Sequence, residues 1–172
     1  NYKILLRNIK RTGLSDFCIL NMLALGSSNI ESFIKQTKES SSSTINDFNS
    51  ESKYFKKKLK ILNINNSDKY YEKIPIKIIV LDDYIKEKEI QNIDLLKIDT
   101  EGFEFNVIKG LKNNYNIVKF IYFEHHYDDM IKKDYKFKDI NQLLINYGFK
   151  KIYKSKMYFR KSFEYIYENT II

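Results

Sequence analysis

Asp99, Glu101, Glu124 and His125 are the residues whose types and spacing could do chemistry, with Glu104 and His126 beside them. Asp99 and Glu101 stand two apart at the end of an apolar run, 93–98, and Gly102 follows, which lets the backbone turn sharply. A second apolar run, 118–123, ends in Glu124, His125 and His126. In open parallel sheets, ligands bind outside the carboxyl ends of the strands. Two such ends would bring carboxylates and imidazoles to one edge, where they could bind a cation, orient a hydroxyl or take its proton. Plainer roles compete with these. Acidic residues after strands also cap helices, a His pair alone makes no metal site, and Lys97 inside a strand is expected to snorkel or ion-pair. The chain has one cysteine, Cys18, and no Cys/His metal spacing, so no metal is expected.

Strands and helices must place these residues. Residues 2–10 carry apolar positions near helical spacing and stop at Thr12-Gly13. Residues 17–25 form an apolar run broken only by Asn21, and its length suits a buried strand with Cys18 as a small buried hydrophobe. Residues 30–35 suit a short strand, and the polar stretch 36–53 reads as a mobile loop or insertion. Residues 54–63 are basic and ambiguous. Residues 75–81, rich in Ile and Val, suit a strand, with Asp82 placed to cap a short helix at 83–88. The strand at 93–98 is followed by a helix at 102–109 closed by Gly110, then by the strand at 118–123 and a helix at 139–146. Strands are expected at 150–153, 157–160 and 163–167. Alternating strands and helices that end in an antiparallel hairpin argue an α/β class with a mostly parallel sheet.

Composition sets the outer bounds. A chain of 172 residues, 43% hydrophobic and with 14 Tyr and 12 Phe, can bury a core in one domain, 1–172. The formal charge of +8 comes from lysines spread along the whole chain rather than gathered on one face, which disfavours nucleic-acid binding. No apolar run approaches the roughly 20 residues that span a bilayer. With a single cysteine and no signal sequence, a cytoplasmic location is expected.

The segment from Ile93 to Glu104, with Val107-Ile108-Lys109-Gly110 behind it, resembles the signature of FkbM-type methyltransferases. Ile79-Val80-Leu81-Asp82-Asp83, Ala24-Leu25-Gly26 and Ile121-Tyr122-Phe123-Glu124 are similar to three further blocks of that family, in the same order. The resemblance implies a Rossmann-like class I methyltransferase fold, S-adenosylmethionine as cofactor, and O-methylation of a sugar or small-metabolite hydroxyl. It implies that Asp99 and Glu101 line the methyl-transfer site, that Leu23, Ala24 and Asp99 contact the cofactor, and that Glu124 or His125 takes the hydroxyl proton.

The chain departs from the family in one respect. Its five glycines lie too far apart to form the Gly-rich loop that follows the family's first strand. The chain therefore resembles the carboxyl-terminal part of the domain, without the first two strands. In the implied strand order, 3-2-1-4-5-7-6, that loss predicts an incomplete product, a missing amino-terminal partner segment, or rearranged pairing of the 17–25 strand with the 75–81 strand. A non-catalytic remnant or interaction domain is the alternative to an enzyme.

Overall fold

The computed structural model describes residues 2–37, 42–158 and 161–171, and it contains the expected alternation of strands and helices. The elements run α1 (Tyr2–Arg11), β1 (Ala24–Gly26), β2 (Ile30–Thr37), α2 (Lys53–Ile61), β3 (Tyr71–Val80), α3 (Leu81–Glu87), β4 (Ile93–Ile98), α4 (Glu104–Lys109), β5 (Val118–His126), α5 (Phe137–Asn146), β6 (Phe149–Lys156) and β7 (Ser162–Asn169). They make two sheets, one ordered β1-β3-β2 and the other β4-β5-β7-β6.

The expectation of a mostly parallel sheet is not borne out. Among the described residues only β1–β3 and β4–β5 pair in parallel, whereas β2–β3, β5–β7 and β6–β7 are antiparallel. The closing hairpin, β6–β7, is antiparallel as expected, with a register shift between Lys151 and Tyr153. The separate strand expected at 157–160 falls partly on residues 159 and 160, which lie outside the described residues. Met157 belongs to the hairpin connection and donates its N–H to the Ser162 carbonyl at 3.1 Å.

The long strand expected at 17–25 also differs. Only Ala24–Gly26 is strand, paired with Ile78–Val80 of β3, which is the rearranged pairing. Residues 15–17 form a turn of 3-10 helix, and Phe17, Ile19 and Met22 are 83%, 86% and 74% exposed. The physical reason is the absence of a second neighbour. An apolar run buries both faces only when strands flank it and helices cover it, and among the described residues β1 pairs on one side alone. Cys18 is accordingly only partly buried.

The main core lies under the larger sheet. Ile98, Ile121, Phe123, Tyr165 and Tyr167 of the strands meet Leu81 and Ile85 of α3, Val107 and Ile108 of α4, and Ile140 and Leu144 of α5. A smaller core of Phe55, Tyr70, Met130 and Ile131, with Phe48 stacked on Phe55, anchors α2. Helix α2 starts at Ser52, whose hydroxyl accepts from the Phe55 N–H at 3.2 Å, the usual first-turn cap. Asp82 does not cap α3 from outside. It sits within the first turn, buried, held by Lys86 at 2.5 Å and Asn114 at 2.7 Å. Burial works against its charge, yet these donors keep its carboxyl below the usual range.

One close approach joins the two sheets. A Cβ on Gly110 would sit 2.1 Å from the Gly26 carbonyl oxygen, so the end of α4 touches the end of β1 only because residue 110 is glycine. The Gly110 carbonyl then accepts from the Asp82 N–H at 2.7 Å. Among the described residues no helix is long and apolar enough to cross a membrane.

Candidate active site

The loop between β4 and α4 is the centre of the site. Glu101 and Gly102 both have positive φ, 50° and 100°, so the chain makes a left-handed turn straight after Asp99 and Thr100. Gly102 meets that demand without strain, whereas Glu101 adopts it against its Cβ. The surroundings hold it there. Thr44 donates its hydroxyl to the Glu101 carbonyl at 2.7 Å, and the Asn46 amide donates to the Gly102 carbonyl at 2.6 Å. Both come from the stretch expected as a mobile polar loop. From residue 42 on, that stretch carries Ser42, Thr44 and Ser52 buried, with Ser42 and Thr44 lining the site.

Glu104 fastens the other side of the turn. It is 1% exposed, yet its carboxylate accepts from the Gly102 N–H (2.8 Å), the Thr100 hydroxyl (3.0 Å) and the Tyr135 hydroxyl (2.5 Å). A buried carboxylate is tolerable when its lone pairs are so occupied and it faces a helix amino terminus. Burial and the Glu104 charge push the Tyr135 hydroxyl far above its usual pKa, so it stays a donor.

The turn places its two acidic side chains differently. Asp99 points outward, half-exposed, with Lys97 Nζ 3.1 Å away. It lines a cleft of about 430 Å³ between the two sheets, together with Leu23, Ala24, Leu25, Ile34, Ile76, Leu96, Phe103 and the hydroxyl residues Ser43, Thr44 and Thr100. The three residues expected at a cofactor, Leu23, Ala24 and Asp99, therefore share one cleft. Glu101 turns the other way, into a small cavity of about 30 Å³ that it lines with Ser42, Tyr54, Lys58, His126 and Asp128. The two spaces adjoin through the consecutive pairs Ser42–Ser43 and Thr100–Glu101.

His126 gathers the carboxylates. Its Nε2 lies 3.3 Å from Glu101 Oε2 and 3.3 Å from Glu124 Oε1, and its Nδ1 lies 3.6 Å from Asp128 Oδ2. All four side chains are at most 13% exposed. Nε2 and Glu124 Oε1 are in ion-pair range but lack hydrogen-bond alignment, which leaves both polar atoms buried without a hydrogen bond. Burial opposes a charge on the His126 ring, but Asp128, Glu101 and Glu124 outweigh it and raise its pKa above the usual imidazole value. Asp128, stabilised by His126 and by the Met130 N–H at 3.0 Å, is lowered in spite of burial.

His125 lies elsewhere. Neighbours on a strand face opposite ways, and its ring packs against Tyr127, Tyr135 and Phe137 at centroid distances of 4.8, 5.9 and 5.8 Å. It is 3% exposed, and burial, helped by Lys133 and His126, lowers its pKa to about 4. The structure thus brings Glu101 and Glu124 together and leaves His125 in an aromatic cluster. Asp128, Thr44 and Asn46 were not singled out by the sequence, and His126 only as the companion of His125. The alternation of β5 was the available signal for His126: with Glu124 on one face, the residue two further on shares it.

Among the described residues, no group of three or more His, Cys, Asp or Glu side chains could hold a metal ion. The family model for the methyltransferase FkbM domain matches residues 7–151. No curated protein and no solved structure matches the chain significantly.

Proposed function

The chain belongs to the methyltransferase FkbM domain family, and we propose that it methylates a hydroxyl of a small-molecule or glycan acceptor with S-adenosylmethionine as donor, in the cytoplasm. The observation that carries the reading is the pairing of an apolar cleft, with Leu23, Ala24 and Asp99 on its wall, and a carboxylate cluster directly behind it. The cleft volume falls within the ~300–1,000 Å³ usual for small-molecule sites.

The residues present fit the cofactor's chemistry. Leu23, Ala24, Leu25 and Ile76 offer an apolar wall for a flat heterocycle, and Asp99 offers a carboxylate to hydroxyl or ammonium groups. When bound, S-adenosylmethionine supplies an electrophilic methyl group. The protein's own part is to hold an acceptor hydroxyl in line, at near-attack distance, and to accept its proton. Glu101 and Glu124 are the carboxylates for that task.

The cleft is open along β4, whose outer edge has no strand partner among the described residues. That edge supports a further part of the reading, namely that an amino-terminal segment outside these residues completes the cofactor site. It equally favours the alternative, an interaction domain that retains the sheet without catalysis. Calorimetry with S-adenosylmethionine separates them. Saturable binding that Asp99→Asn weakens supports the enzyme. A folded chain that shows no heat of binding, and gains none when joined to the missing strands, sinks it.

A further inference from the structure

We propose that His126 is the positioning residue of this site: clamped by Asp128, its imidazolium turns the Glu101 and Glu124 carboxylates to one point, with Glu101 as the group that accepts the acceptor's proton. The inference rests on the methyl-transfer reading and adds a residue and a proton path to it.

The geometry carries the argument. Three carboxylates crowd into one largely buried cluster from three directions: Glu101 from the β4–α4 turn, Glu124 from β5, and Asp128 from the segment after β5. Like charges so close disfavour one another, and one carboxylate would take up a proton unless a cation lay between them. His126 is central, with Nε2 equidistant from Glu101 and Glu124. Two lysines stand close by. Lys133 Nζ is turned to the His126 carbonyl at 2.5 Å, and burial lowers its pKa despite Asp128, Glu104 and Glu101. Lys58 and Tyr54 reach the cavity from α2, with Lys58 Nζ on the Ser42 hydroxyl at 2.7 Å. His125 faces the aromatic cluster on the opposite side of β5.

The step is a proton transfer. The hydroxyl O–H bond of the acceptor breaks, its electron pair stays on the oxygen, and an O–H bond forms on the Glu101 carboxylate. His126 keeps its own proton throughout. It lets Glu101 begin the step ionised and holds Glu124 as the second negative wall. The left-handed turn at Glu101 separates the two acidic side chains: Asp99 lines the cleft, and Glu101 lines the small cavity with His126, next to the cleft through Thr100.

The chain has only two histidines, so the test is direct. Uniformly ¹⁵N-labelled protein is titrated while long-range ¹H–¹⁵N correlations of both rings are followed, with and without S-adenosylmethionine. The expected result is one ring, His126, still doubly protonated above neutral pH, and the other neutral. Asp128→Asn and Glu101→Gln should each move the His126 transition down by about half a unit or more and leave His125 in place. In His126→Gln, the Glu101 side-chain carboxyl carbon, observed by ¹³C, should titrate about one unit higher than in the wild type. A wild-type His126 that deprotonates at or below the ordinary imidazole value overturns the proposal, and this needs no variant to fold. So does a Glu101 carboxyl unmoved by His126→Gln. Intact His126 behaviour without cofactor binding would leave the His126 clamp standing and overturn the methyltransferase reading together with the proton step.

Discussion

The Tyr135 hydroxyl donates a 2.5 Å hydrogen bond to Glu104, and both side chains are shut away from solvent. This ties the segment before α5 to the first turn of α4, and through Glu104 to the strained turn at Glu101. Tyr135→Phe removes the donor and strands one oxygen of a buried carboxylate, so it should destabilise the fold by about 1–3 kcal/mol. Tyr122→Phe is the comparison. That hydroxyl is also bonded to a carboxylate, Glu164, which together with burial pushes its pKa up to about 12, but the pair is only part-buried. Urea unfolding of the two variants should show the larger loss at Tyr135. Equal losses would mean that burial of Glu104 does not matter.

Gly110→Ala should cost more than 2 kcal/mol, roughly the upper part of the range for overpacking. The new methyl would lie 2.1 Å from the backbone oxygen of Gly26, and no side chain can swing aside to relieve it. Thermal unfolding reads this out. A variant as stable as the parent would show that β1 and α4 do not touch as described.

His125 makes stability sensitive to acid. Its folded pKa, about 4, is below the ordinary 6.5, so the folded state refuses a proton that the unfolded chain accepts. The contribution is fully present above about pH 6.5 and is lost as pH falls towards 4. It amounts to roughly 3 kcal/mol at full size. His126 has the opposite sign. Its raised pKa gives stability that is present below 6.5 and fades as pH rises through the folded value. Denaturation midpoints across pH 4–8 should fall on the acid side in the wild type and fall less in His125→Phe. An unchanged acid slope would rule out His125 as its source.

Ile19→Ser should change stability by no more than about 0.5 kcal/mol, as surface substitutions do. The side chain is 86% exposed in spite of its apolar surroundings in sequence. A loss above about 1.5 kcal/mol would place residue 19 in a packed interior.

Asp99→Asn should leave stability nearly unchanged, because an exposed pair such as Lys97–Asp99 contributes little. Its effect belongs to ligand binding, where a tenfold weakening for S-adenosylmethionine corresponds to about 1.4 kcal/mol. Unaltered affinity would remove Asp99 from the cofactor site.

Much of this was legible in the sequence where local pattern and burial agree. The apolar runs at β4 and β5 fix both strands, and the acidic residues at their ends do meet across the sheet edge. The alternating pattern near the carboxyl end places the closing antiparallel hairpin, and β6–β7 is that hairpin. What local pattern could not give was direction in space. Leu25 and Phe17 look alike in a hydropathy profile, but only the neighbourhood of β3 decides that β1 is three residues long. Glu101 reads as a cleft residue beside Asp99 until its positive φ turns it away. His125 and His126 are indistinguishable by type, and the pleat of β5 gives one to an aromatic cluster and the other to the carboxylates. The polar stretch before α2 reads as an unattached loop because hydroxyl and amide side chains carry no hydropathy signal. Thr44 and Asn46 nonetheless anchor it through backbone carbonyls 56–57 positions away.

The outer edge of β4, which has no strand partner among the described residues, also bears on how the protein behaves in concentrated solution. A bare strand edge is a template on which a neighbouring chain can stack, and Leu95 on that strand is 53% exposed. Mutual repulsion from the +8 net charge keeps copies apart in dilute buffer. Added salt screens that repulsion within about 10 Å at 0.1 M, which brings bare strand edges such as this one within reach of neighbouring copies.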